Sequence, residues 1–141
     1  MSKQVMLKTD ASYKKDIGCG LSFEFEVKDE EGVNHIDGNK FVETVDNSTH
    51  GELIATVYGL IKVIKQINKP EEYMITIASD CQYVVESFQQ RYPDQPKLVR
   101  TALNILDSFA GWSVRWISRV KNTKADALAK SALMKGEDGI W

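Results

Sequence analysis

Asp10, Glu52, Asp80 and Asp126 each stand at the edge of a structured stretch, where a carboxylate is a poor choice for stability alone. Asp10 closes an apolar run (QVMLKTDAS) and Glu52 opens an amphipathic one (HGELIATVYGLIKVI). Asp80 follows YMITIAS, and Asp126 falls early in NTKADALAKSAL. If folding brings them together, four like charges converge, and only bound cations make that tolerable. The pattern suits metal-dependent phosphoryl transfer, with carboxylates as ligands. Singly, three of them have plainer uses. Glu52 and Asp126 fit first-turn acids favoured by a helix dipole, Asp126 with Asn122 as N-cap, and Asp80 fits a cap for the helix after it. Asp10, behind a strand core, is the hardest to explain that way.

The elements that must carry these acids are readable from hydrophobic period. Residues 3–10 read as a strand with Val5 and Leu7 on one face and Met6, Lys8 and Asp10 on the other. Residues 17–27 alternate Phe23, Phe25 and Val27 against Glu24 and Glu26, and DEEG at 29–32 is a turn. A third strand is expected within 33–46, interrupted at Asp37-Gly38-Asn39. The period then changes: Leu53, Val57, Leu60, Ile61 and Ile64 place a helix over 50–67, stopped by Asn68-Lys69-Pro70. Residues 73–79 follow as a strand buried on both faces. Helices over 81–91 and 96–109 come next, the first ended by Tyr92-Pro93-Asp94. A strand over 112–117, a helix over 122–135 and a frayed tail at 136–141 complete the chain. This order predicts an α/β fold in one domain over 1–141. Its five-stranded mixed sheet is an antiparallel meander of strands 1–3 followed by parallel strands 4 and 5, flanked by helices.

At 141 residues the chain is long enough for a core without disulfides. Cys19 and Cys81 are far apart and read as reduced thiols; His35 and His50 stand alone, so no zinc spacing exists. Apolar stretches are broken by charge too often for a membrane span, and MSKQVMLK lacks a signal-type apolar core, which predicts a cytoplasmic protein. Net charge is −2, against bulk electrostatic coating of nucleic acid. The charge is unevenly spread. Residues 1–50 hold six Lys against ten acids, while 111–135 hold Arg115, Arg119, Lys121, Lys124, Lys130 and Lys135 against Asp126 alone. A basic patch beside an acidic site suits a nuclease, with cations gripping the backbone next to the scissile phosphate.

With those residues in place, the chain resembles type 1 ribonuclease H. TDAS at 9–12 resembles that family's first-strand Asp motif, and HGELIATVYGL at 50–60 the helix bearing its Glu. SDCQYV at 79–84 resembles its second Asp segment, and NTKADALA at 122–129 its closing motif. The resemblance spans roughly residues 3–135 and includes element order. It implies that Asp10, Glu52, Asp80 and Asp126 are both catalytic and metal-binding, holding two Mg²⁺ ions about 4 Å apart, with Mn²⁺ able to substitute. It implies cutting of the RNA strand of an RNA–DNA hybrid, leaving 5′-phosphate and 3′-hydroxyl ends, with no obligate protein partner. Reading the 2′-hydroxyl needs backbone amides and short polar groups. The candidates are the amides near Ala11 and Ser12, the run Ser48-Thr49, and Gln82. Arg119, Lys121, Asn122 and Lys124 are the candidate phosphate contacts.

Departures from the family pattern are specific. The link WISRVKNTKAD is short and holds no His, leaving Arg119 in that neighbourhood as a cation that cannot relay protons. Ser48-Thr49 stands where an Asn pair is usual. No basic handle helix is expected between 91 and 97, nor a separate hybrid-binding domain ahead of Met1, so substrate affinity is expected to be weaker than in handle-bearing relatives. Two other functions fit the same residues less well: a nuclease or resolvase of this fold acting on DNA, and a non-catalytic nucleic-acid-binding module.

Overall fold

The structure, a computed structural model, describes residues 3–89 and 97–138. Strand β1 (Lys3–Lys14) turns back through Asp16, in the left-handed region at φ 66°, into β2 (Gly18–Asp29), and β3 (Gly32–Val42) completes the meander. Helix α1 (Ser48–Gln66) then crosses to β4 (Tyr73–Ser79). Helices α2 (Gln82–Gln89) and α3 (Lys97–Leu106) lead to β5 (Gly111–Trp116), and α4 (Thr123–Asp138) ends the described chain. The sheet order is β3-β2-β1-β4-β5; β1–β2 and β2–β3 are antiparallel, and β1–β4 and β4–β5 parallel. This is the mixed sheet the period changes predict.

Strand alternation divides the helices between the two faces. Leu7 and Thr9 of β1 meet α1 at Gly59, where a Cβ would come within 2.8 Å of the Thr9 methyl. Phe23, paired with Thr9, stacks edge-on against Tyr58 of the same helix. On the opposite face, Gly20 of β2 lies against the α4 backbone at Ala129 and Leu133, with no room for a Cβ. The core fills the α1 side with Leu7, Phe25, Leu60, Val63, Ile75, Ile77, Val84, Val99 and Leu106. Each such side chain contributes roughly 1.5–3 kcal/mol by leaving water. Cys19 and Cys81 are free thiols, and burial pushes Cys19 up to about 11, as befits an inert packed residue.

Several element ends differ from the sequence expectation, each for a physical reason. β1 runs four residues past Asp10, because β2 keeps pairing with it as far as Lys14↔Gly18 after β4 has ended. β3 is continuous through Asp37-Gly38-Asn39; Gly38 faces the Phe23 ring, 2.8 Å from where its Cβ would lie, so the glycine makes room for an aromatic and breaks nothing. β4 is not buried on both faces: Met74 is exposed and Thr76 half-buried, for α4 leaves that part of the sheet bare. α4 continues through Gly136, which the Phe41 ring packs against, so residues 136–138 are helical and not a frayed end. The turn expected at Tyr92-Pro93-Asp94 and the handle-less segment lie outside the described residues, apart from Lys97 at the start of α3. Among the described residues, no helix is long and apolar enough to cross a membrane.

Candidate active site

Parallel pairing of β1 with β4 brings the first two acids together. The last paired residues are Lys8↔Ala78; β4 ends one residue later and Asp80 follows, at the level of Asp10. α1 supplies the third. Asn47 caps it, its Oδ1 accepting from the His50 N–H at 2.9 Å, and Glu52 comes in the second turn, two turns ahead of the Gly59 contact. Asp10, Glu52 and Asp80 each offer a carboxylate oxygen lying within 4.8 Å of the others.

The environment of these oxygens is hostile to negative charge. Asp10 is 5% exposed. Burial first, then the Asp80 carboxylate, push its carboxyl up to about 6. Glu52 is driven further, to about 9, by burial and then by Asp10. Glu52 Oε1 accepts the Ala11 amide at 3.2 Å, but Oε2 is buried with no donor in reach. A proton or a cation would satisfy it. Burial and the neighbouring Asp10 carboxylate both favour the protonated form of Glu52. A divalent cation would replace that proton, and an all-oxygen donor set suits a hard one.

Asp126 stands apart from this trio. It is half-buried in the first turn of α4, its Oδ2 3.0 Å from Lys130 Nζ. Its charge still reaches Asp10, as the last of the influences that raise that carboxyl. The seating of α4 explains the nearness: Ser22, paired with Asp10, donates its hydroxyl to the Ala125 carbonyl.

The residues expected to meet nucleic acid divide into two groups. Ser48, Gln82, Arg119 and Lys121 are exposed, and Ser12 and Thr49 half-buried, all on loops or element ends flanking the acids. Three others are otherwise engaged. The Ala11 amide donates to Glu52 Oε1. Lys124 is drawn across to Asp37 at 2.7 Å. Asn122 is fully buried; its Nδ2 donates to the Thr9 carbonyl at 3.1 Å and lies 3.4 Å from Asp80 Oδ2. Its carbonyl starts α4 by accepting the Asp126 N–H, as an N-cap residue's does, while its side chain turns inward. Trp116 was not legible as part of the site: it is 52% exposed, and its indole N–H donates to the Asp80 carbonyl at 3.2 Å.

A family model described as reverse transcriptase-like matches residues 8–132. The chain belongs to this ribonuclease H-like family. Solved structures agree on its fold. The N-terminal RNase H domain of rv2228c from Mycobacterium tuberculosis is 20% identical, with 99% of this chain and 100% of that one covered and a TM-score of 0.80. RNase H1 of the halophilic archaeon Halobacterium salinarum is 19% identical, covering 94% of this chain and 98% of that one, with a TM-score of 0.74. LC11-RNase H1, solved in complex with an RNA/DNA hybrid, is 19% identical over 93% of this chain and 97% of that one, with a TM-score of 0.72. No curated protein sequence matches. The chain thus has a ribonuclease H-like sheet, and its acid trio is an all-oxygen donor set that could hold a metal ion.

Proposed function

We propose that this protein is a metal-dependent endoribonuclease, acting as a single domain in the cytoplasm, that hydrolyses the RNA strand of RNA–DNA hybrids. The observation that carries the reading is the meeting of Asp10, Glu52 and Asp80 around a buried Glu52 oxygen that no donor reaches. Membership of the ribonuclease H-like family and a neighbour of the same fold solved with an RNA/DNA hybrid support this choice of substrate.

In this reading Asp10, Glu52 and Asp80 would hold the cations, with Asp126, now paired with Lys130, as the fourth acid. Two Mg²⁺ ions, or Mn²⁺ in their place, would supply an activated water and neutralise charge building on the leaving oxygen. Water adds across the phosphorus–O3′ bond, so the products are a 3′-hydroxyl and a 5′-phosphate. Arg119 and Lys121, exposed beside the start of α4, hold the strand by its phosphates. Ser12, Ser48, Thr49 and Gln82 flank the acids as the contacts that read the 2′-hydroxyl. Arg119 fixes charge but moves no proton, since its guanidinium stays charged.

The test is a side-by-side cleavage of a labelled RNA–DNA hybrid, the all-DNA duplex of the same sequence and a branched DNA junction, each with Mg²⁺. Cutting confined to the RNA strand of the hybrid supports the reading. Cutting of the all-DNA substrates at an equal rate replaces it with a DNA nuclease.

A further inference from the structure

Asp80 is held from two sides, by the last residue of β5 and by the segment that joins β5 to α4. On the backbone side, the Trp116 N–H donates to the Asp80 carbonyl at 3.2 Å. On the side-chain side, Asn122 Nδ2 reaches the Thr9 carbonyl at 3.1 Å and Asp80 Oδ2 at 3.4 Å, tying that carboxylate to the strand that carries Asp10. The turn is closed from that segment by the Ile117 N–H, which donates to the Ser79 carbonyl at 2.9 Å, and from within by the Cys81 N–H, which donates to Ser79 Oγ at 3.1 Å.

Neither holding residue is placed as stability alone would place it. Both partners of the Asn122 amide are acceptors, so its NH₂ must face them, and Oδ1 is left buried without a donor. A fully buried asparagine with one polar atom unpaired is a costly choice for packing alone, and what its amide gains there is the Thr9 carbonyl and the Asp80 carboxylate. Trp116 keeps half of a large ring in water while its one polar atom is spent on a carbonyl. What the two share is Asp80.

We propose that Trp116 and Asn122 are positioning residues that aim the Asp80 carboxylate into the acid cluster. The inference rests on the reading of that cluster as a cation site. A ligand whose carbonyl and carboxylate are both fixed enters the site without having to be ordered by the ion, which raises affinity and sets direction. Asn122 then acts through Asp80 and not through the nucleic acid.

The test is calorimetric titration of the metal-free full chain with Mn²⁺ alone, alongside its thermal melt. Trp116→Phe keeps the ring and removes the N–H; Asn122→Ala removes the amide. Each is expected to weaken Mn²⁺ binding by roughly ten- to a hundredfold. The pair together should weaken it by less than the product of the two, because both act on one carboxylate. Trp116→Phe should leave the metal-free melting temperature close to that of the unaltered chain. Wild-type Mn²⁺ affinity in a folded Trp116→Phe protein overturns the proposal, and that variant carries the test alone if Asn122→Ala does not fold. A wild-type chain that binds no Mn²⁺ overturns the cation reading itself, and this inference with it.

Discussion

Asp10 and Asp80 stand level with each other across β1 and β4, where the parallel ladder that ends at Lys8↔Ala78 gives way to an open edge. Because β1 continues to Lys14 on its other partner, Asp10 is rigid within a strand while Asp80 begins a turn. The site joins a fixed carboxylate to one that must be held, and Glu52 reaches both from α1.

The metal-free protein should lose stability as pH rises. Glu52 protonates near 9 in the folded chain against an ordinary value of 4.5, and Asp10 near 6 against 3.8. Between those limits the folded state binds more protons than the unfolded one, so unfolding free energy falls from about pH 4 to about pH 9. Below about pH 4 both states are protonated and the effect vanishes. Melting curves in EDTA at pH 5, 7 and 9 check the sign, and Glu52→Gln should flatten the slope above pH 6.

Cation binding displaces the same protons, so the stabilisation it gives should grow over that window. Melting with saturating Mn²⁺ at each pH measures it. A shift equal at pH 5 and pH 9 contradicts the role given to Glu52.

Asp126 should behave unlike the other acids. Its i,i+4 pair with the exposed Lys130 is worth about 0.3–0.5 kcal/mol, so Asp126→Asn should change stability by about that. Hybrid cleavage should nonetheless fall sharply. Urea denaturation and single-turnover cleavage of the same preparation separate the two effects.

Gly20→Ala should destabilise the chain by about 1–3 kcal/mol or more, since its Cβ would collide with the α4 backbone at Ala129. Backbone cannot rotate aside as a side chain can, so α4 must lift and carry Asp126 away from Asp10. Denaturant midpoints read the first effect and hybrid cleavage the second.

Arg119→Ala and Lys121→Ala should each weaken hybrid binding evenly across sequences. Each should also reduce the slope of log affinity against log salt by about one. Fluorescence anisotropy at several salt concentrations measures this, and an unchanged slope removes that residue from the phosphate contacts.

Much of this architecture is legible in the sequence because its signals are local. Phe23, Phe25 and Val27 announce a strand with one wet face, and the change to helical spacing at Leu53 announces α1. What is not legible depends on partners distant in sequence. The end of β1 is set by β2, and the helical Gly136 by a ring on β3. Asn122 shows the limit most clearly: beside lysines it reads as a surface residue, and only the packing of α4 against β1 reveals that it faces inward to Asp80. Lys124 likewise reads as a free cation until β3 brings Asp37 to it.

The most direct test of the central claim compares hybrid cleavage by the unaltered chain and by Asp80→Asn, each with Mg²⁺ and with EDTA. The account predicts RNA-strand cutting by the unaltered chain with Mg²⁺ only, and none by an Asp80→Asn protein whose circular dichroism spectrum is unchanged. Cutting that survives either EDTA or the loss of that one carboxylate would contradict it.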